Sequence, residues 1–232
     1  HPCERLLPWS TGVERPQGPR AGSKTWQAIV IGLYRAIVLP MSLLLILIEA
    51  CNRITSGILI GLAPMVTIQE LGWTQITYAN WIAITGVTAA VLGVLCSPWI
   101  DRVGALRILK WVVMFRIGLL GLTAALEPYW GIHQVFESFL MINAVATQLV
   151  TVTLIALFMR LCSPRVAASQ FAVYMALANM TYSLGSGLMV PLSHWTHQAG
   201  IMLVCAALIA LMWLLIHWVD FERHDQDLNK LS

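Results

Sequence analysis

Apolar residues run along this chain in six long blocks separated by short polar interruptions. The blocks cover residues 38–68, 78–99, 111–126, 134–159, 167–192 and 200–219. About 20 predominantly apolar residues are enough for a helix to cross a hydrocarbon core ~30 Å thick. The pattern therefore predicts an all-α polytopic membrane protein, with six transmembrane helices over residues 38–219. Residues 1–25 are polar and rich in Pro and Gly, the composition of a linker. Residues 26–37 are expected to form a short interfacial helix or the lead-in to the first span, and residues 220–232 a polar tail. The chain starts with His1 and shows no signal peptide, so it is expected to be a piece of a longer chain cut within a loop.

Composition agrees with the pattern. Of the 232 residues 58% are hydrophobic and 11% charged, with mean hydropathy +0.75, whereas soluble domains carry about 25% charged residues. The net charge of +3 offers no basic face for nucleic acid. Five scattered cysteines without a CxxC pair read as small apolar packing residues.

The distribution of charge adds an orientation. Twelve of the 14 Lys and Arg lie in the N-terminal segment, in residues 101–110, in residues 160–166 and in the tail. The turns after the first, third and fifth spans have none. Under the positive-inside rule both termini and both basic loops are then cytoplasmic. The other two basic residues, Arg53 and Arg116, lie inside spans. Residues 101–110 are read as a loop, which puts Arg116 about 9 Å past Lys110 at 1.5 Å per residue. There it can snorkel to the interface or pack between helices; the alternative is a functional partner.

The remaining polar residues within the spans are few and patterned. The first span carries Glu49, Asn52 and Arg53 near its middle. Glu49 and Arg53 are four apart and share a helix face, so they can pair. Ionisable groups at that depth are expensive and face a protein interior or a wet cavity. This makes Glu49 and Arg53, with Glu137 on the fourth span, candidates for proton coupling; a structural salt bridge and an interfacial carboxylate are the plainer readings. On the fourth span Asn143, Thr147 and Thr151 recur every fourth residue, and Gln148 and Glu137 are about three turns apart. Asn52, Asn143, Thr147, Gln148 and Thr151 are the candidate cavity residues, with interhelical hydrogen bonding as the alternative role. Spans three and six are the most apolar and are expected to face lipid. Ser183, Gly185 and Gly187 form a small-residue face suited to close packing, and Gln170 suits local hydrogen bonding or capping. His194 and His197 lack a third ligand nearby, so no metal and no cofactor are expected.

Asp101, Arg102 and Gly104 resemble the loop motif of the major facilitator transporters, Gly-x-x-x-Asp-Arg-x-Gly followed by basic residues. Arg107 and Lys110 supply the basic character; Ser97 stands where the first Gly would be, and Ala105 and Leu106 replace the usual basic pair. The resemblance implies a twelve-helix transporter of two six-helix halves related by an axis along the membrane normal. This chain would be the C-terminal half, with residues 1–25 the end of the linker between halves. The first and fourth helices of each half would line the cavity, and Asp101, Arg102, Gly104 and Arg107 would clamp a cytoplasmic gate. Residues 161–188 further resemble the AmpG-type muropeptide permeases, on Leu161, Cys162, Ala168, Gln170, Phe171 and Ala172, and Glu4 to Ser10 resemble that group's linker. That resemblance implies proton-driven import of cell-wall sugar peptides across a bacterial inner membrane.

The function expected is thus a proton-coupled secondary transporter for a small polar solute such as a muropeptide, amino sugar or peptide. Its partners would be the bilayer, the other six-helix half, the solute and protons. A non-transporting sensor or assembly factor on the same fold is the alternative. An intramembrane enzyme is a third class, but the sequence has no HExxH, GxSxG, Walker loop or dinucleotide glycine pattern to support it.

Overall fold

A computed structural model describes residues 40–162 and 167–219. The expected linker, lead-in segment and tail, and residues 163–166 of the second basic loop, lie outside the described residues. Six long helices are present among the described residues: α1 (Pro40–Pro64, continued by a π-helical turn at Met65–Glu70), α2 (Gln75–Val103), α3 (Ala105–Ala125), α4 (His133–Leu161), α5 (Ala167–Trp195) and α6 (Gln198–Ile216). A 3-10 turn, Glu127–Tyr129, follows α3. No strand occurs among the described residues. Five of the helices are long and apolar enough to cross a membrane. The exception, α5, is as long as α2 and α4 at 29 residues but is diluted by Ser, Thr, Asn and Gln along its length. The protein is a polytopic all-α membrane protein.

Helix ends differ from expectation in ways the backbone explains. Residues 101–110 are not a loop. Helix α2 runs through Pro98 to Val103, and α3 starts at Ala105. Proline removes one intrahelical hydrogen bond, a loss that membrane helices tolerate when neighbouring groups take up the freed carbonyl. Only Gly104 separates the two helices. Its φ of 98° is open to glycine and strained for other residues. Its N–H caps α2 through the Ile100 carbonyl at 2.9 Å, and its carbonyl accepts from Ile108 N–H at 3.2 Å to start α3. Asp101 and Arg102 thus sit on the last turn of α2 and Arg107 on the first turn of α3, all exposed. Asp101 makes no ion pair among the described residues.

At the other end of the bundle Pro64 introduces the π turn, whose register shows in the Leu71 N–H to Val66 carbonyl bond at 3.0 Å. Thr74 then caps α2, its hydroxyl accepting from Thr77 N–H. Trp73 Nε1 donates to His133 Nδ1 at 2.8 Å, tying this turn to the start of α4. Glu70 accepts from Gln198, tying it to the start of α6.

The most extensive helix contacts are α1 with α5 and α3 with α6. Helix α6 also packs on α1, and α4 packs on both α2 and α3. The α1–α5 approach depends on Gly57 and Gly185. A Cβ on Gly57 would lie 2.7 Å from the Ser186 backbone nitrogen, and one on Gly185 would lie 2.7 Å from Ile54 Cα. Of the expected small-residue face only Gly185 makes this contact; Ser183 and Gly187 are exposed, and nothing lies within 4 Å of a Cβ at Gly187. Helices α3 and α6 are not simple lipid-facing exteriors. Each buries one face, with Leu120 and Ile209 fully enclosed, and exposes the other through residues such as Phe115 and Leu211. The helix with the smallest buried share is α2.

Candidate functional site

The first-span polar cluster sits on α1 about 14 Å from the helix start at 1.5 Å per residue. Glu49 is buried, 3% exposed. Its Oε1 receives Nε of Arg53 at 2.5 Å, the i, i+4 pair expected from the spacing. Glu49 Oε2 is buried without a hydrogen bond. Arg53 is partly exposed, and its Nη1 and Nη2 have no hydrogen bond among the described residues.

Arg53 lines an open cavity of about 370 Å³ between α1, α2 and α4, to which Tyr182 of α5 and Met202 of α6 also contribute. Of the candidate cavity residues, Asn143, Thr147, Gln148 and Thr151 all line it, one helix face opposite Arg53. Asn143 Oδ1 and Thr147 Oγ1 carry no hydrogen bond. The Thr151 hydroxyl donates to the Thr147 carbonyl at 3.0 Å and keeps its lone pairs for another donor. The cavity lining thus combines one cation, Arg53, with the amide and hydroxyl residues of α4. Apolar surface from Phe136, Phe139 and Leu140 completes it at one end.

Two expected residues stand elsewhere. Glu137, on the first turns of α4, does not line the cavity. Asn52 does not line it either: it points away from the cavity and is fully buried, its Oδ1 accepting from Arg116 Nη1 of α3 at 2.8 Å. Of the two placements expected for Arg116, snorkelling or packing between helices, the structure shows the second, because Arg116 is 0% exposed. Helix α3 starts six residues before the expected span, which puts Arg116 deeper than its distance from Lys110 implies. Arg116 is eleven residues into a 21-residue helix, about 17 Å along it, too deep for its side chain to reach the end. Thr153, on the far side of α4 from the cavity, bonds to the Leu149 and Val150 carbonyls instead.

Sequence reasoning missed several cavity residues. Ser56, one turn past Arg53 on the same face of α1, follows from extending the helix period. Tyr78 and Thr85 of α2 are seven apart and share a face, a signal that the mostly apolar character of α2 hid. Gln170, expected to act locally, donates to the Tyr174 hydroxyl at 2.6 Å, and Tyr174 donates to Ser42 Oγ at 3.2 Å, so this trio bridges α5 to α1.

A family model described as the Major Facilitator Superfamily matches residues 45–231, all six helices. No curated protein and no solved structure gives a significant match.

Proposed function

The chain belongs to the major facilitator superfamily, whose members are membrane transporters, and from that premise we propose that it moves a small polar solute by alternating access coupled to protons. In this reading it is the C-terminal six-helix half of a twelve-helix transporter of AmpG type. Its termini and the Gly104 turn face the cytoplasm of a bacterial inner membrane.

The observation that supports the reading best is the placement of the Glu49–Arg53 pair. It adjoins a 370 Å³ cavity whose opposite wall is the Asn143, Thr147, Gln148 and Thr151 face of α4. The cavity can bind a solute through those groups. The carboxylate beside Arg53 can take up a proton in the access state in which its ion pair with Arg53 loosens. The two states of such a transporter require the helices to move as rigid units. The one-residue break at Gly104 would allow the ends of α2 and α3 to do so, with Asp101, Arg102 and Arg107 free to pair across the gate in one state.

The test is uptake by the full-length protein in proteoliposomes, with and without an imposed pH gradient, over a panel of muropeptides, amino sugars and short peptides. Accumulation of a panel member that collapses with the gradient is the expected result. Uptake indifferent to the gradient would remove proton coupling, and no uptake at all would remove transport.

A further inference from the structure

Away from the helix ends, the described membrane-spanning helices hold three charged side chains: Glu49, Arg53 and Arg116. One carboxylate faces two guanidinium groups, so the interior carries one formal positive charge in excess. Arg116 has no carboxylate within ion-pair distance among the described residues; its hydrogen bond is to the neutral amide oxygen of Asn52, and its Nε and Nη2 are buried without partners. Uncompensated charge is costly in a membrane interior. Complete enclosure of Arg116 also means that no second protein surface can reach it to neutralise it.

The excess positive charge has one route to an external ligand. Arg53 is the single charged residue in the wall of the 370 Å³ cavity. Its Nε is held by Glu49, which fixes the guanidinium plane and leaves Nη1 and Nη2 for a second partner. A guanidinium presents its donors as a planar fork that matches a carboxylate bidentately.

We propose that the cavity selects solutes carrying one net negative charge, with a carboxylate of the solute seated on the Nη1 and Nη2 groups of Arg53. Asn143, Thr147 and Gln148 then read hydroxyl or amide groups on the uncharged part of the solute. Arg116 is the second positive charge of the same interior, so two carboxylates, that of the solute and that of Glu49, are matched by two guanidinium groups. Binding of the anion brings the interior to neutrality. This selectivity rests on the transport reading for its biological purpose, but its test is equilibrium binding and stands apart from uptake.

The experiment is calorimetric titration of the detergent-purified full-length protein with matched acid and amide probes: glucuronate against glucuronamide, and N-acetyl-dipeptide acids against their C-terminal amides. Acids are expected to bind on the order of tenfold or more tighter than their amides, the scale of a hydrogen bond to a charged group. Arg53→Gln should abolish that preference, and Arg53→Lys should retain part of it. Because Arg53→Gln leaves a buried carboxylate unpaired, Glu49→Gln/Arg53→Gln is measured beside it, and it too should show no acid preference. Equal binding of acids and amides, no binding of any acid, or an acid preference that survives both Gln variants would overturn the proposal. Uptake of a neutral solute with no acid preference would leave transport standing and sink the charge selectivity; acid-selective binding without uptake would do the reverse.

Discussion

Arg116 of α3 donates from Nη1 to Oδ1 of Asn52 on α1 at 2.8 Å, with neither side chain exposed at all. The bond joins two helices whose direct packing is slight, whereas α6 packs extensively on both. Arg116 also gives the bundle interior a second guanidinium, buried and on a residue that does not line the cavity. Asn52 lies three residues from Glu49 on α1, just under one helical turn.

Asn52→Leu should therefore destabilise the bundle, because it strands a buried guanidinium. The loss is expected to be about 2 kcal/mol, the scale for a hydrogen bond to a charged group. Arg116→Met in the same chain removes the stranded charge and should recover much of that loss. A double-mutant cycle on thermal unfolding in detergent measures the coupling. Additive losses would mean that the two side chains do not depend on one another.

Gly57→Ala and Gly185→Ala are each expected to disrupt the α1–α5 contact. The added methyl group meets backbone, Tyr182 and Ser186 in one case and Ile54 in the other, and backbone cannot rotate aside. Gly118→Ala and Gly121→Ala on α3 meet nothing within 4 Å and should be neutral or slightly stabilising, by up to ~1 kcal/mol from helix propensity. Comparing the monodisperse yield of the four variants by size-exclusion chromatography checks both halves of this prediction.

Gly104 tests a different constraint. Nothing lies within 4 Å of a Cβ built there, so Gly104→Ala meets no steric neighbour. Its φ of 98° alone should make the substitution cost on the order of 1–3 kcal/mol. The expected readout is a lowered thermal midpoint. An unchanged midpoint would show that the turn adopts another backbone conformation at no cost.

The number and order of the helices were legible because crossing a bilayer demands long apolar runs, and the basic residues cluster at alternate ends of those runs. The Glu49–Arg53 pair was legible because both residues lie on one helix, where spacing fixes geometry. Arg116 was not. Its partner is 64 positions away, and its depth depends on where α3 begins. The charged residues 101–110 read as loop by composition, yet a single glycine accomplishes the whole reversal. The close approach at Gly57 was open to reading, since Gly57 and Gly61 have the four-residue spacing of small residues that permits close helix contact, and both press on α5. The polar face of α4 was readable from its fourfold period, whereas Tyr78 and Tyr182 join the cavity only through tertiary packing.

Glu49→Gln separates the two roles open to this carboxylate. Glutamine keeps the shape and can still accept from Arg53 Nε, so the helix face and the cavity wall should persist. It cannot exchange a proton. If Glu49 carries the coupled proton, gradient-driven accumulation should vanish; one proton per solute otherwise supplies about 1.4 kcal/mol, or tenfold accumulation, per pH unit. Exchange of labelled for unlabelled solute across the membrane, which needs no net proton movement, should continue. If Glu49 serves only to hold Arg53, both accumulation and exchange should fall together, because a glutamine grips the guanidinium less firmly than a carboxylate does. A non-transporting sensor or assembly factor would show neither activity in the parent chain and no change in the variant. Measuring accumulation and exchange in the same proteoliposomes distinguishes the three, and only the loss of accumulation with exchange intact assigns the proton to Glu49.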